Sequence, residues 1–106
     1  MAVIVATDND FNNVLNSNQN VVVKYYADWC GSCRLFAPKF KRMSDEEVFA
    51  NVAFVDVNAE TSPEARKLAG VTNLPFFAVF RSGKLVDTVA ASKEEAVRDL
   101  INKLTV

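Results

Sequence analysis

Hydrophobic and polar positions along this chain switch repeatedly between a two-residue and a helical period, and each switch marks an element. Val3–Ala6 ("VIVA") reads as a short strand. Thr7 then offers a helix cap, and Phe11, Val14 and Leu15 share one helical face through about Leu15. "NSNQN" is a turn cluster, and Val21–Ala27 ("VVVKYYA") is a nearly continuous β-prone run, apolar on both faces as in an interior strand covered on both sides. From Cys33 onward Leu35, Phe36, Phe40 and Met43 return to helical spacing, with Pro38 expected to kink that helix. Val52–Val57 reads as another buried strand. "SPEARKLAG" is a short helix with Ser62 as cap, Pro63 at its first position and Gly70 after its end. "FFAVF" and "KLVDTVA" flank "RSG" as a hairpin. Ser92 is the expected cap of a last helix that turns Ala96, Val97, Leu100, Ile101 and Leu104 inward. The order β-α-β-α-β-α-β-β-α predicts an α/β fold with a central mixed sheet and helices on both faces.

Composition narrows the possibilities. At 106 residues the chain is expected to form one domain over 1–106, long enough to bury a core without staples. A net charge of -1 and no basic run argue against nucleic acid or an anionic membrane as partner. Histidine is absent, which removes the commonest general base and the commonest transition-metal ligand together. The start, "MAVIVATDND", has no basic region, and its apolar run is too short for a signal peptide or a spanning helix. A cytoplasmic location is therefore expected, where a permanent structural disulfide is uncommon.

The two cysteines, Cys30 and Cys33, sit together in "ADWCGSC" and admit three readings. A structural metal site usually needs four ligands, and the chain offers no further cysteine and no histidine, so only a dimer could assemble one. A structural staple would close a very short loop and remove little chain entropy. A redox pair fits the local pattern better, because the motif lies where a buried strand turns into a helix. Residues three apart on a helix have β-carbons about 5–6 Å apart, close enough to bridge. Cys30 would lie at the helix N-terminus, where free amides and the helix dipole stabilise a thiolate. Cys33, one turn in, would be the more buried, resolving thiol. Such exchange needs no metal or organic cofactor, and none is expected.

The motif does not stand alone. "ADWCGSC", Pro38 five residues after Cys33, "VDVN", "GVTNLPFF", "FRSGK" and the terminal amphipathic helix together resemble the thioredoxin family over essentially the whole chain. The resemblance implies the thioredoxin fold and a thiol–disulfide oxidoreductase that reduces protein disulfides. It also implies a reductase of the thioredoxin-reductase type as electron donor, linked to NADPH or ferredoxin. A monomer is expected. Leu74–Pro75 matches the family's cis-proline position: Pro75 should lie against the cysteines as the substrate-side wall, and the backbone of Leu74 should pair with an extended substrate. Trp29 should pack beside the cysteines on the substrate-facing surface, the alternative being a core tryptophan. Gly31 and Ser32, between the cysteines, join the expected substrate-contacting set. Phe76 stands where the family commonly has threonine and is either core or part of an apolar docking patch. Asp28 reads as a solvated residue near the mouth.

Departures from the family pattern define the open questions. Ser32 replaces the usual proline of the motif, frees a backbone amide, and could stabilise reduced Cys30, which would make the pair more oxidising. Lys24 lies six residues before Cys30, where the family usually holds a buried aspartate that assists proton transfer at the resolving cysteine. It either modulates the pair, as a charge or as a base, or pairs structurally, for example with Asp56 on the neighbouring strand. Ala90 and Ala91 occupy a region where the family tends to have glycine, and Asn73 replaces a frequent small residue. These departures keep two alternatives to a reductase in view: a disulfide oxidant or isomerase, and an interaction module whose dithiol is only weakly active.

Overall fold

The two-residue alternation of the strands sorts their side chains onto two faces of one sheet. The computed structural model describes residues 3–104. Its elements run β1 (Ile4–Ala6), α1 (Phe11–Ser17), β2 (Asn20–Tyr26), α2 (Gly31–Ser44), a 3-10 turn (Glu47–Phe49), β3 (Ala53–Asn58), α3 (Pro63–Ala69), β4 (Phe76–Arg81), β5 (Lys84–Ala90) and α4 (Glu94–Asn102). The five strands form one sheet in the order β1-β3-β2-β4-β5. β1, β3 and β2 are parallel, and β4 and β5 are antiparallel to their neighbours. Ser82 and Gly83, both with positive φ (52° and 79°), close the β4–β5 hairpin in the geometry that a two-residue turn between twisted strands requires.

One face carries Val21, Val23 and Tyr25 of β2, Val55 and Val57 of β3, and Phe76, Ala78 and Phe80 of β4, covered by Phe11 and Leu15 of α1 and by Ala65 and Ala69 of α3. The other carries Val22, Phe54, Phe77 and Val79, covered by Phe36, Phe40 and Met43 of α2 and by Val97, Leu100 and Ile101 of α4. Aromatic rings dominate this second face. Phe36 and Phe77 lie 5.0 Å apart edge to face, and Phe40 and Phe54 also lie 5.0 Å apart. Each fully buried ring of this kind contributes about 1.5–3 kcal/mol through apolar burial. α2 continues through Pro38.

Two helix starts differ from the sequence expectation, and a third starts where expected but takes its cap from a distant residue. Thr7 is not the cap of α1: Asp10 occupies that position, and its carboxylate accepts from the Thr7 amide at 2.7 Å, folding the chain into a turn before the helix. Ser62 holds the cap position of α3, but its hydroxyl is fully buried and makes no hydrogen bond among the described residues. The donors of that helix are taken instead by Asp8, whose carboxylate oxygens accept from Glu64 N at 3.1 Å and Ala65 N at 2.9 Å. Ser92 is displaced as cap by Lys93, and α4 starts at Glu94. Gly70 ends α3 in the left-handed conformation at φ 66°, which glycine adopts without steric cost.

Candidate functional site

Topology brings four connections to one end of the sheet. Because β2 and β3 are parallel, the segments leaving them emerge side by side. Because β4 is antiparallel to β2, the segment entering it lies at the same end, and β5 returns there. The register states this directly, since Tyr25 of β2 is opposite Phe76 of β4, which is opposite Ala90 of β5. Residues 27–30, 59–62, 73–75 and 90–92 therefore converge.

Cys30 caps α2 with an extended backbone at φ -84° and ψ 105°. Its Sγ accepts the Cys33 amide at 3.2 Å, so a free helix-terminal N–H points at the sulfur. The two cysteines are joined by a disulfide, with Cα atoms 5.3 Å apart. The Ser32 hydroxyl lies 3.6 Å from Cys30 Sγ. The pair packs in a small apolar cluster with Ala27, Tyr26 and Leu74.

Beside the pair runs a shallow groove of about 170 Å³ lined by Ser32, Asn73, Leu74, Pro75, Ala90 and Ala91. Leu74–Pro75 is a cis peptide. A side chain added at Gly31 would meet nothing within 4 Å, so the space over the motif is open. Trp29 is not a core residue: it is 67% exposed, and its indole N–H donates to Glu60 Oε2 at 2.8 Å. Glu60 carries no local pattern that marks it as a site residue, because only the topology sets it beside Trp29. Phe76 is the opposite case. Its side chain is buried edge to face with Tyr25 on the α1/α3 side of the sheet, so the core alternative holds and it adds no apolar docking surface. The alternation that follows Pro75 turns Phe76 inward.

Lys24 and Asp56 sit opposite each other in the β2–β3 register, on the face covered by α2. Lys24 Nζ lies 3.3 Å from Asp56 Oδ1, an ion pair off hydrogen-bond geometry, and over the rings of Phe40 at 5.3 Å and Tyr26 at 5.8 Å. The pairing anticipated for Lys24 is thus present. Burial pushes the Asp56 carboxyl above the ordinary aspartate range, with Lys24 opposing that rise. Both residues line a cavity of about 360 Å³ with Tyr26, Ala27, Asp28, Arg34 and Cys33. Arg34 donates to the Asp28 carbonyl at 2.8 Å and holds the turn before the motif against α2. The two sulfurs thus belong to different surroundings: Cys30 lies beside the Ser32 hydroxyl, and Cys33 lines the same pocket as the charged pair.

This geometry can be set against known proteins. The family model for thioredoxin matches residues 2–103. The chain belongs to the thioredoxin family. It is similar to thioredoxin 1 of Plasmodium falciparum, with 29% identity over 103 residues covering 97% of each chain. With thioredoxin of Bacillus subtilis it shares 31% identity over 104 residues, covering 97% of this chain and 98% of the other. The crystal structure of Malassezia sympodialis thioredoxin superposes with a TM-score of 0.88 at 25% identity, covering 100% of this chain and 96% of that one. The sheet order and the flanking helices are those of the thioredoxin fold. As a thioredoxin-family member with a disulfide-forming pair, the protein is a thiol–disulfide oxidoreductase, and protein disulfides are its class of substrate. No described helix is long and apolar enough to cross a membrane.

Proposed function

We propose that this protein reduces protein disulfides by two-step dithiol exchange, with Cys30 as the attacking thiol and Cys33 as the resolving one. The observation that carries this reading is the asymmetry of the two sulfurs. Cys30 caps α2 and receives the Cys33 amide, an arrangement that favours a thiolate, whereas Cys33 is buried and lines the pocket of Lys24 and Asp56. In the reduced protein the Cys30 thiolate attacks one substrate sulfur, and the other leaves as a thiolate. Cys33 Sγ then attacks Cys30 Sγ and expels the first. Two electrons pass to the substrate, and the product is the Cys30–Cys33 disulfide.

An extended substrate would lie over Trp29, Gly31 and Ser32, with Pro75 as wall, the Leu74 backbone as pairing partner, and Asn73 and Ala90 at the flanks. The openness above Gly31 and the groove along 73–75 support that path. Regeneration falls to a thioredoxin-reductase-type donor, linked to NADPH or ferredoxin. The protein would act as a monomer, one domain over 1–106, in the cytoplasm. Incubation of Cys33→Ser and Cys30→Ser variants with a disulfide-containing protein tests the roles. Cys33→Ser should trap a mixed disulfide through Cys30, and Cys30→Ser should trap none; the reverse pattern would overturn the assignment.

The Ser32 hydroxyl near Cys30 Sγ favours a second reading, an oxidant or isomerase. Equilibration in a glutathione buffer series separates the two. A reductant stays largely oxidised in buffers of cytoplasmic poise, and an oxidant is largely reduced there.

A further inference from the structure

Attack by Cys33 on the mixed disulfide requires its thiolate, and Cys33 is only 2% exposed. Its proton needs an acceptor at the pocket it lines, and the chain has no histidine. The polar groups that share the Cys33 cavity are Lys24 and Tyr26 of β2, Asp28 of the following turn, Arg34 of α2 and Asp56 of β3. β1 sets only Val5 opposite Asp56 and brings no charge. Arg34 is a cation tied to the Asp28 carbonyl. Lys24 is engaged as a cation by Asp56 and by two rings. The Tyr26 hydroxyl is held above its ordinary value by burial first, then by Asp56 and Asp28, so it keeps its proton. Two carboxylates remain. Asp28 is exposed on the turn. Asp56 is half-buried and stands on the sheet face that α2 covers.

We propose that Asp56 accepts the Cys33 proton during resolution of the mixed disulfide. The proton passes from Cys33 Sγ to the Asp56 carboxylate by way of the cavity. The bond from Cys33 Sγ to Cys30 Sγ forms, the bond from Cys30 Sγ to the substrate sulfur breaks, and that sulfur leaves as a thiolate with the electron pair. In the reverse direction a donor thiolate attacks Cys30 Sγ, Cys33 leaves as a thiolate, and Asp56 returns the proton. The cavity, about 360 Å³, has room for a relay of water molecules at about 30 Å³ each. Its position against Cys33 gives Asp56 access, and its burial supplies basicity, since the raised carboxyl value lies nearer the operating pH than an exposed aspartate's would. Lys24 then positions Asp56 and sets its acidity.

The inference rests on the dithiol-exchange reading, and one assay separates the two. Reduced protein is mixed with dithiobis(nitrobenzoate) in a stopped-flow instrument. The first nitrothiolate released reports attack by Cys30, and the second reports attack by Cys33. A wild type that releases fewer than two equivalents of nitrothiolate, or a Cys30→Ser variant that keeps the first step, would overturn the exchange reading itself. With that reading intact, Asp56→Asn should keep the first phase and slow the second by about a hundredfold, the lower end of what a general base supplies. The Lys24→Gln variant should keep a second phase whose pH midpoint moves upward, because the opposing cation is gone. The double variant Lys24→Gln/Asp56→Asn carries no unpaired buried charge and should be as slow in the second phase as Asp56→Asn. Recovery of the wild-type second phase in the double variant would show that Asp56 only balances Lys24, and would overturn the proposal. An unchanged rate and pH profile in Asp56→Asn would do the same.

Discussion

The two faces of the sheet follow the same alternation and end differently. Under α1 and α3 the face is apolar to its end, and its one large polar side chain, Tyr25, is satisfied: the hydroxyl donates to the Ala65 carbonyl at 2.8 Å. Under α2 and α4 the same register runs Val22, then Lys24, on β2 and Phe54, then Asp56, on β3. Toward the end that carries the cysteines, the apolar packing of β2 and β3 therefore gives way to an ion pair beside a pocket. Buried ion pairs are weak contributors to stability, because desolvation offsets their attraction. Among the described residues this is the one ion pair that joins two strands, and it lines the same pocket as Cys33. The opposite face carries no ion pair between its strands among the described residues.

The largest expected effect comes from the shared framework. Phe77→Ala on the α2 side should cost about 3–5 kcal/mol of unfolding free energy in a denaturant titration, because Phe77 contacts both Phe36 and Phe40. Breaking the ion pair from one side comes next. Asp56→Ala should cost about 2 kcal/mol, less than a fully buried pair because Asp56 is 23% exposed. Replacing the pair by Lys24→Met/Asp56→Leu should match or exceed wild-type stability while slowing the resolving step. A double variant less stable than Asp56→Ala would break the comparison between the faces.

Smaller effects sharpen it. Burial raises the folded-state value of Asp56 above its unfolded one, about 3.9, so its contribution to stability is full below that value and declines as pH climbs through the folded one. The stability of wild type minus that of Asp56→Asn should therefore shrink as pH rises through this window; chemical denaturation at several pH values measures it. Tyr25→Phe on the quiet face should cost about 1 kcal/mol, the net worth of one hydrogen bond, and leave disulfide reduction unchanged. Smallest is Ser32→Pro. Loss of the hydroxyl beside Cys30 should make the pair more reducing by about 20 mV, one hydrogen bond shared over two electrons; no shift, or a shift the other way, removes Ser32 from the account.

Most of the fold is legible in the sequence because its strands are nearly pure runs and its turns carry glycine, proline and asparagine. The element order and the mixed sheet follow from those runs, and the cysteine motif falls where one of them ends. What is not legible depends on distant partners. Asp8 caps a helix that begins more than fifty residues later, and the local serine then looks like the cap without acting as one. Trp29 is fixed outward by Glu60, brought near by strand order. The short 3-10 turn at Glu47–Phe49 leaves no periodic trace. Asp56 is legible as a partner for Lys24, since each is a charge interrupting an apolar strand. That it also lines a pocket with Cys33 depends on how α2 crosses the sheet.

The central claim is dithiol exchange through Cys30, and dithiothreitol-driven reduction of insulin tests it most directly. The wild type should accelerate precipitation of the insulin B chain well above the dithiothreitol background, and Cys30→Ser should return the rate to that background. A wild type no faster than Cys30→Ser would contradict the account and make the domain a thioredoxin-fold interaction module.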